Sequence, residues 1–319
     1  MAQDSTCILV PTFPRQLPAA RLTVELLNRY WPNHPEIFIC GVETREEDVL
    51  PLTCDPADWI AVVLGGAREL ARRGYVRVFL ILDDQGPIEA CHEEHLNATI
   101  PAWMTELDAV YISLRGWDHR RNSSGKSLGE KYLHLQRQSA TFPWRFALHP
   151  ALWRLDVLIE RLAMVGREVP IEQHSAWAFE RRAGRLEGEV AEEWGRATYR
   201  VHGRRMMKRP LSVFARTVRH WIDGVIRNID LALREPPFLS QKWPISMRRL
   251  LARVLMTDDV RYQGPYPMFF SGFLIRGRIN PHMAKFLYRS GQRELLGKIL
   301  AVVPGGKAES SGTRVRERR

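Results

Sequence analysis

Two adjacent carboxylates at the end of an apolar run are the residues of this 319-residue chain best placed to do chemistry. Val76-Arg77-Val78-Phe79-Leu80-Ile81-Leu82 reads as a buried strand, and it runs directly into Asp83-Asp84-Gln85-Gly86-Pro87. Side by side, two carboxylates repel each other unless a cation or a basic group compensates. Mg²⁺ and Mn²⁺ prefer hard oxygen ligands and are commonly held by one or two carboxylates together with the oxygens of a bound diphosphate. The same residues are also good turn chemistry, because Asp, Gly and Pro all favour chain reversal. Both readings stand on the residues alone. The place of the pair, after the third strand of an alternating pattern, favours the cation.

That pattern runs through the first 115 residues. A strand at 7–10 ends at Pro11, and a helix at 18–30 is stopped by Pro32. A second strand at 36–40 closes at Gly41, and Asp58 can cap a helix that reaches Arg73, with Gly74 as its C-cap. After the third strand come a helix at 88–107 and a strand at 109–114. Strands alternating with helices predict an α/β fold, Rossmann-like, with a mostly parallel sheet and helices on both faces. Ligands of such sheets bind outside the carboxyl ends of the strands. Pro11, Thr12, Gly41, Asp83, Asp84 and Arg115 follow strands and are therefore the first candidates. Residues 115–141 read as a long loop. A strand at 144–148, helices at about 150–164 and 172–184, and a last strand at 198–202 complete this part.

Charge divides the chain. Residues 1–110 carry a net charge of −9 and the remainder +20, within a total of +11. The expected organisation is an α/β domain over 1–205, a basic helical extension over 206–303 and a disordered tail over 304–319. Helices at 211–234 and 245–256 combine apolar and arginine-bearing faces, which suits contact with an anionic membrane surface. The pI of about 9.8 also raises nucleic-acid binding, but no nucleic-acid motif accompanies it. The sequence shows no membrane-spanning run and no secretory signal, and Cys7, Cys40, Cys54 and Cys91 form no Cys-x-x-Cys pair. A cytoplasmic protein with free thiols is expected, peripheral at the inner face of the membrane if the basic helices bind lipid.

Several segments stand in a telling order: Ile8-Leu9-Val10-Pro11-Thr12, Tyr30-Trp31-Pro32 before Glu36-Ile37-Phe38-Ile39, Asp58-Trp59, Phe79 to Asp84, Trp144 to Trp153, and Ser175-Ala176-Trp177-Ala178-Phe179-Glu180. Together they resemble bacterial GT-A-fold glycosyltransferases of the surface or capsular polysaccharide biosynthesis type. The resemblance covers roughly residues 7–202. It implies a nucleotide-sugar donor, a glycan or lipid-linked acceptor, and a divalent cation, Mn or Mg, at Asp83 and Asp84. Pro11, Thr12, Asp58 and Arg115 would then line the donor site. Glu180 would be the base that deprotonates the acceptor hydroxyl, with Glu172 as the alternate, and Trp177 would stack on the acceptor sugar. For Glu180 a surface glutamate beside Arg181-Arg182 is the competing reading, and Trp153 reads as core. The chain departs from the usual Asp-x-Asp, because Gln85 places an amide where the second acid would stand. That departure keeps open a catalytically silent relative that binds glycan or a partner.

Overall fold

A computed structural model describes residues 5–44, 46–114, 135–137, 146–183, 198–201, 204–205, 262–269, 272–275, 278–280, 283–284, 287–288 and 291–302. The chain forms two compact units. One comprises Met1–Arg205 together with Tyr262–Arg319, and the other is Met206–Arg261. The second unit, the two basic helices expected within it, and the tail after residue 302 lie outside the described residues.

Strands β1 (Thr6–Pro11), β2 (Ile37–Cys40) and β3 (Arg77–Leu80) pair in parallel, with Leu9 opposite both Phe38 and Leu80. Their side chains alternate between two cores. Cys7, Leu9, Phe38, Cys40, Val78 and Leu80 enter one core, which also takes the apolar faces of α2 (Trp59–Arg72), α4 (Leu155–Glu168) and α5 (Ala176–Ala183). Ile8, Val10, Ile37, Ile39, Phe79 and Ile81 enter the other, with α1 (Leu17–Tyr30) and α3 (Ile100–Glu106). Burial on both faces explains why these strands read as unbroken apolar runs.

The sheet has seven strands in the order β2-β1-β3-β6-β4-β7-β5, completed by β4 (Tyr111–Ser113), β5 (Leu135–Arg137), β6 (Ala151–Arg154) and β7 (Thr198–Val201). Five strands run one way, while β6 and β5 run against their neighbours. The reversal at β6 differs from the sequence expectation. Residues 144–148 were expected to be the strand and 150–164 the helix, yet Ala151–Arg154 pairs with both β3 and β4, and the helix starts at Leu155. Trp153 decides the register. It is fully buried, 4.7 Å from the Tyr111 ring and stacked on Phe146 at 5.3 Å, contacts that a helical start would break. The stretch 88–107 is not one helix either. A π-helical turn at His95–Thr99 precedes α3, because Pro101 brings a ring and no N–H into what would be regular helix. Part of the expected 115–141 loop, Leu135–Arg137, is the edge strand β5.

Residues 262–302 pack with the α/β body rather than with a separate extension. Tyr266 and Met268 are buried in the α1/α3 core, and the backbones of Ile88 and His92 donate to the carbonyls of Pro267 (3.0 Å) and Pro265 (2.9 Å). Strand β8 (Arg204–Arg205) pairs with β9 (Tyr262–Gln263), so the body receives the returning chain beside the point where it left. A short hairpin follows, β10 (Leu274–Ile275) with β11 (Arg278–Ile279), and then helix α6 (Arg293–Ala301).

The loops at the carboxyl ends of β1 and β2 touch at Gly41. Its φ is +103°, and a Cβ there would meet the Thr12 carbonyl oxygen at 1.9 Å. Gly41→Ala should therefore lower unfolding free energy by at least about 2 kcal/mol in denaturant titration. Gly74, at φ +90° with nothing within 4 Å, is the control, and Gly74→Ala should cost about 1 kcal/mol.

Candidate functional site

The strand order fixes where a ligand can enter. From β1 the chain crosses to β2 on one side, and from β3 it leaves toward β4 on the other. The crevice outside the carboxyl ends of β1 and β3 is thus the topological switch point, where open α/β sheets bind ligands. Pro11 and Thr12 stand on its β1 side, and Asp83 and Asp84 on its β3 side.

The two sides are joined directly. The Thr12 hydroxyl donates to Asp83 Oδ2 at 2.8 Å, and both residues are buried, at 2% and 8% exposure. Thr12 is itself set by its N–H on the Cys40 carbonyl (2.9 Å). From α1 the Thr23 hydroxyl donates to the Asp83 carbonyl at 2.7 Å, and Gln85 N–H closes a turn onto Leu82 O at 3.0 Å. The acidic pair therefore sits in a turn, and that turn is held from β1 and α1.

Asp84 is held from the other end of the chain. The Leu274 N–H bonds its carboxylate, and the Phe273 N–H donates to its carbonyl at 2.8 Å. Gln85 is 5% exposed. Its Nε2 lies 3.3 Å from His149 Nδ1, the Tyr266 hydroxyl donates to its carbonyl at 2.9 Å, and its Oε1 has no partner among the described residues. One residue before His149, the Leu148 N–H donates to Glu180 Oε1 at 2.6 Å. Leu148 leads into β6, whose first residue Ala151 pairs with Leu80 and Ser113 at the carboxyl ends of β3 and β4. Glu180 therefore lies at the same end of the sheet as the acidic pair, linked to it through Leu148, His149 and Gln85.

Burial governs the ionisation of the pair. It pushes the Asp83 carboxyl up to about 7, against the Thr12 hydroxyl, which favours the charged form. Asp84 is driven well above the ordinary carboxylate range by burial and then by the charge of Asp83, with the Leu274 N–H acting the other way. Without a cation, burial disfavours negative charge at this corner. Among the described residues no group of three or more His, Cys, Asp or Glu side chains could hold a metal. Asp83 and Asp84 supply two carboxylates, so a hard divalent ion at this corner would have to take its remaining ligands from a diphosphate and water.

The other predicted residues fall elsewhere. Asp58 caps α2 through the Ala61 N–H (2.9 Å), and both its carboxylate oxygens lie 2.9 Å from His174 Nδ1. His174 Nε2 is 3.0 Å from the Val169 carbonyl, so Asp58 ties the start of α2 to the α4–α5 connection. Glu172 is exposed in a short 3₁₀ turn, Ile171–Gln173, and Trp177 is 67% exposed on α5. A small pocket lined by Val169, Gln173, Ala178, Arg181 and Arg182 includes neither of them. Arg115 lies outside the described residues. Sequence reasoning did not find the contribution of 265–280. Its signal was present in the apolar, aromatic run Tyr266-Pro267-Met268-Phe269-Phe270 and in Gly272 beyond it.

No family model matches the chain, and no curated protein matches it. Among solved structures, residues 1–349 of S. aureus TarS align with 62% of this chain at 11% identity and a TM-score of 0.29. The alignment takes in 60% of that chain, so this protein spans less than two thirds of it. The functional conclusion therefore stands on the chain's own residues. No helix among the described residues is long and apolar enough to cross a membrane.

Because both acids titrate above their ordinary value of 3.8, the folded chain keeps protons that the unfolded chain has released, and stability falls as pH rises through that range. Asp84→Asn keeps an acceptor for the Leu274 N–H and removes the charge. Calorimetry of the ligand-free protein above neutral pH should show its melting point raised by about 2–4 °C, a gain that disappears in acid. His174 behaves oppositely. Burial disfavours its charge, but the Asp58 carboxylate and the Val169 carbonyl outweigh burial and raise its pKa above 6.5. Its ionic contribution is complete below pH 6.5 and is lost as pH rises through the raised value. His174→Ala should accordingly destabilise the protein more in mildly acidic than in alkaline buffer, read from denaturant midpoints.

Proposed function

We propose that this protein is a glycosyltransferase of GT-A architecture that moves a sugar from a nucleoside-diphosphate donor to a hydroxyl of a glycan or lipid-linked acceptor. The observation that carries this reading is the Thr12–Asp83 hydrogen bond across the switch point, which sets two carboxylates where an α/β sheet binds its ligand. Pro11 and Thr12 would line the nucleotide side, with Arg115 clamping the diphosphate and Asp58 fixing the helix that borders the donor. Asp83 and Asp84 would hold Mn²⁺ or Mg²⁺, which when bound offsets negative charge on the diphosphate.

In the proposed reaction the acceptor oxygen bonds to the anomeric carbon as the bond from that carbon to the diphosphate oxygen breaks. The hydroxyl proton passes to Glu180, and the diphosphate leaves with the electron pair. Glu180 is preferred over Glu172 because its carboxylate is fixed by Leu148 beside the Gln85–His149 contact, whereas Glu172 stands exposed on a 3₁₀ turn. Trp177, exposed on α5, would stack on an acceptor sugar. The basic residues 211–256 would bring the protein to an anionic membrane surface on the cytoplasmic side, where a lipid-linked acceptor would sit. A silent relative is the second reading, favoured by the amide of Gln85 beside the acidic pair.

The test is thermal stabilisation by a panel of nucleoside diphosphates, with and without Mn²⁺, on the wild type and on Asp83→Ala/Asp84→Ala. At a hundredfold excess over its dissociation constant the correct nucleotide should add about 2.7 kcal/mol. The gain should need Mn²⁺ and be absent from the double variant. Stabilisation without turnover of any nucleotide sugar would favour the silent relative, and no stabilisation by any nucleotide would overturn the transferase reading.

A further inference from the structure

Asp84 and its partners in the C-terminal segment define a second role in the site. Gly272 has φ +69°, and a Cβ on it would stand 2.6 Å from both the carbonyl oxygen and Oδ2 of Asp84. Backbone thus lies directly against the acid, and only a glycine admits that approach. The next two amides are both spent on Asp84, Phe273 N–H on its carbonyl at 2.8 Å and Leu274 N–H on its carboxylate. Gly86, two residues past Asp84, is closed over by Phe273, whose ring would lie 2.9 Å from a Cβ there. A three-residue clamp therefore grips one member of the acidic pair, while Thr12 grips the other.

The clamp has its own support in Asn280, which is fully buried. Its Nδ2 donates to the Gly272 carbonyl at 3.1 Å and its N–H to the Phe273 carbonyl at 2.8 Å. Its Oδ1 accepts from Met283 N–H at 3.4 Å, and its carbonyl accepts from Ala284 N–H at 3.0 Å. One side chain thus joins the first residue of the clamp to the chain that follows the β10–β11 hairpin. The task needs a donor and an acceptor on one short side chain, which an asparagine supplies and an aspartate does not.

We propose that Asn280 is a positioning residue for the acidic pair. It holds Gly272–Phe273–Leu274 against Asp84, so that both carboxylates face a divalent cation and its diphosphate in a fixed arrangement. The proposal rests on the cation-and-diphosphate reading of Asp83 and Asp84, and it assigns completion of that site to residues that follow position 261 in the sequence. Asn280 acts through Asp84 and touches no reacting atom.

Uptake of Mn²⁺ with inorganic pyrophosphate, followed by calorimetric titration, tests it on the full chain. Asn280→Asp keeps the acceptor, loses the donor and adds a charge facing the Gly272 carbonyl. Gly272→Ala pushes the clamp away from Asp84. Each should weaken uptake by about 10–100-fold, the range for groups that orient metal ligands. Leu295→Ala removes a buried side chain of α6 and controls for simple loss of stability; it should lower the melting point and leave uptake unchanged. A folded Asn280→Asp protein that takes up Mn²⁺-pyrophosphate as the wild type does would overturn the proposal, as would a wild type that takes up none. A wild type that takes up Mn²⁺-pyrophosphate in a clamp-dependent way, yet binds no nucleoside diphosphate, would sustain the clamp and sink the transferase reading alone.

Discussion

The crowding of two neighbouring carboxylates at the end of β3, Asp83 buried and Asp84 half-buried, is the constraint on which the rest of this structure turns. Each buried charge loses its hydration, and each raises the free energy of the other. A fold that keeps such a pair must surround it with donors, and burial still raises the affinity of both carboxyls for protons. The Asp83 carboxyl is displaced to about 7, and the hydroxyls of Thr12 and Thr23 and the amides of Phe273 and Leu274 converge on the two residues. Those donors come from β1, α1 and the C-terminal hairpin, segments far apart in sequence. The corner is thus the point where the folding of the body is checked for consistency. A slip in any of the three elements would leave a carboxylate or a backbone carbonyl of this corner without its donor, a costly loss for a small change.

The corner also separates residues by task. Asp58 and His174 share a geometry that in another place would suggest catalysis, a carboxylate against an imidazole at 2.9 Å. Here the carboxylate also caps α2, and the far ring nitrogen meets a backbone carbonyl, so every polar atom of the pair serves the packing of α2 against the α4–α5 connection. Asp83 and Asp84 differ because burial opposes their charge rather than being overcome by a partner of opposite sign. A carboxyl whose charge is opposed by its surroundings gains from a cation, whereas a satisfied ion pair does not.

Much of the body was legible in the sequence because the parallel strands are buried on both faces. Cys7 to Val10, Ile37 to Cys40 and Val78 to Ile81 cannot be anything but interior, and prolines and glycines mark their ends. The acidic pair was legible for the same reason, since it terminates such a run. What could not be read was pairing between distant segments. Ala151–Arg154 has too few residues to declare itself a strand, and only the company of Tyr111, Phe146 and Phe179 makes Trp153 a sheet residue. The arrival of Gly272 beside Asp84 is a tertiary contact across 188 residues, and no local pattern encodes it. The apolar run from Tyr266 onward announced burial but not the surface it would cover. Composition pointed the other way, because the basic character of the C-terminal third suggested an appendage.

That last difference has a physical cause. The chain leaves the body at β8, returns at β9, and the two short strands pair with each other. Fixing the ends of an intervening segment side by side makes its length nearly free of consequence for the body, because loop-closure entropy grows only slowly with the number of residues enclosed. The 206–261 unit can therefore carry a charge pattern of its own while the residues beyond it remain bound to the first strands. Tyr266 reaches Gln85, Phe273 and Leu274 reach Asp84, and Lys298 on α6 pairs with Glu25 on α1. The α/β body is closed by the end of the chain, and a boundary drawn at residue 205 would cut away the amides that hold half of its acidic pair.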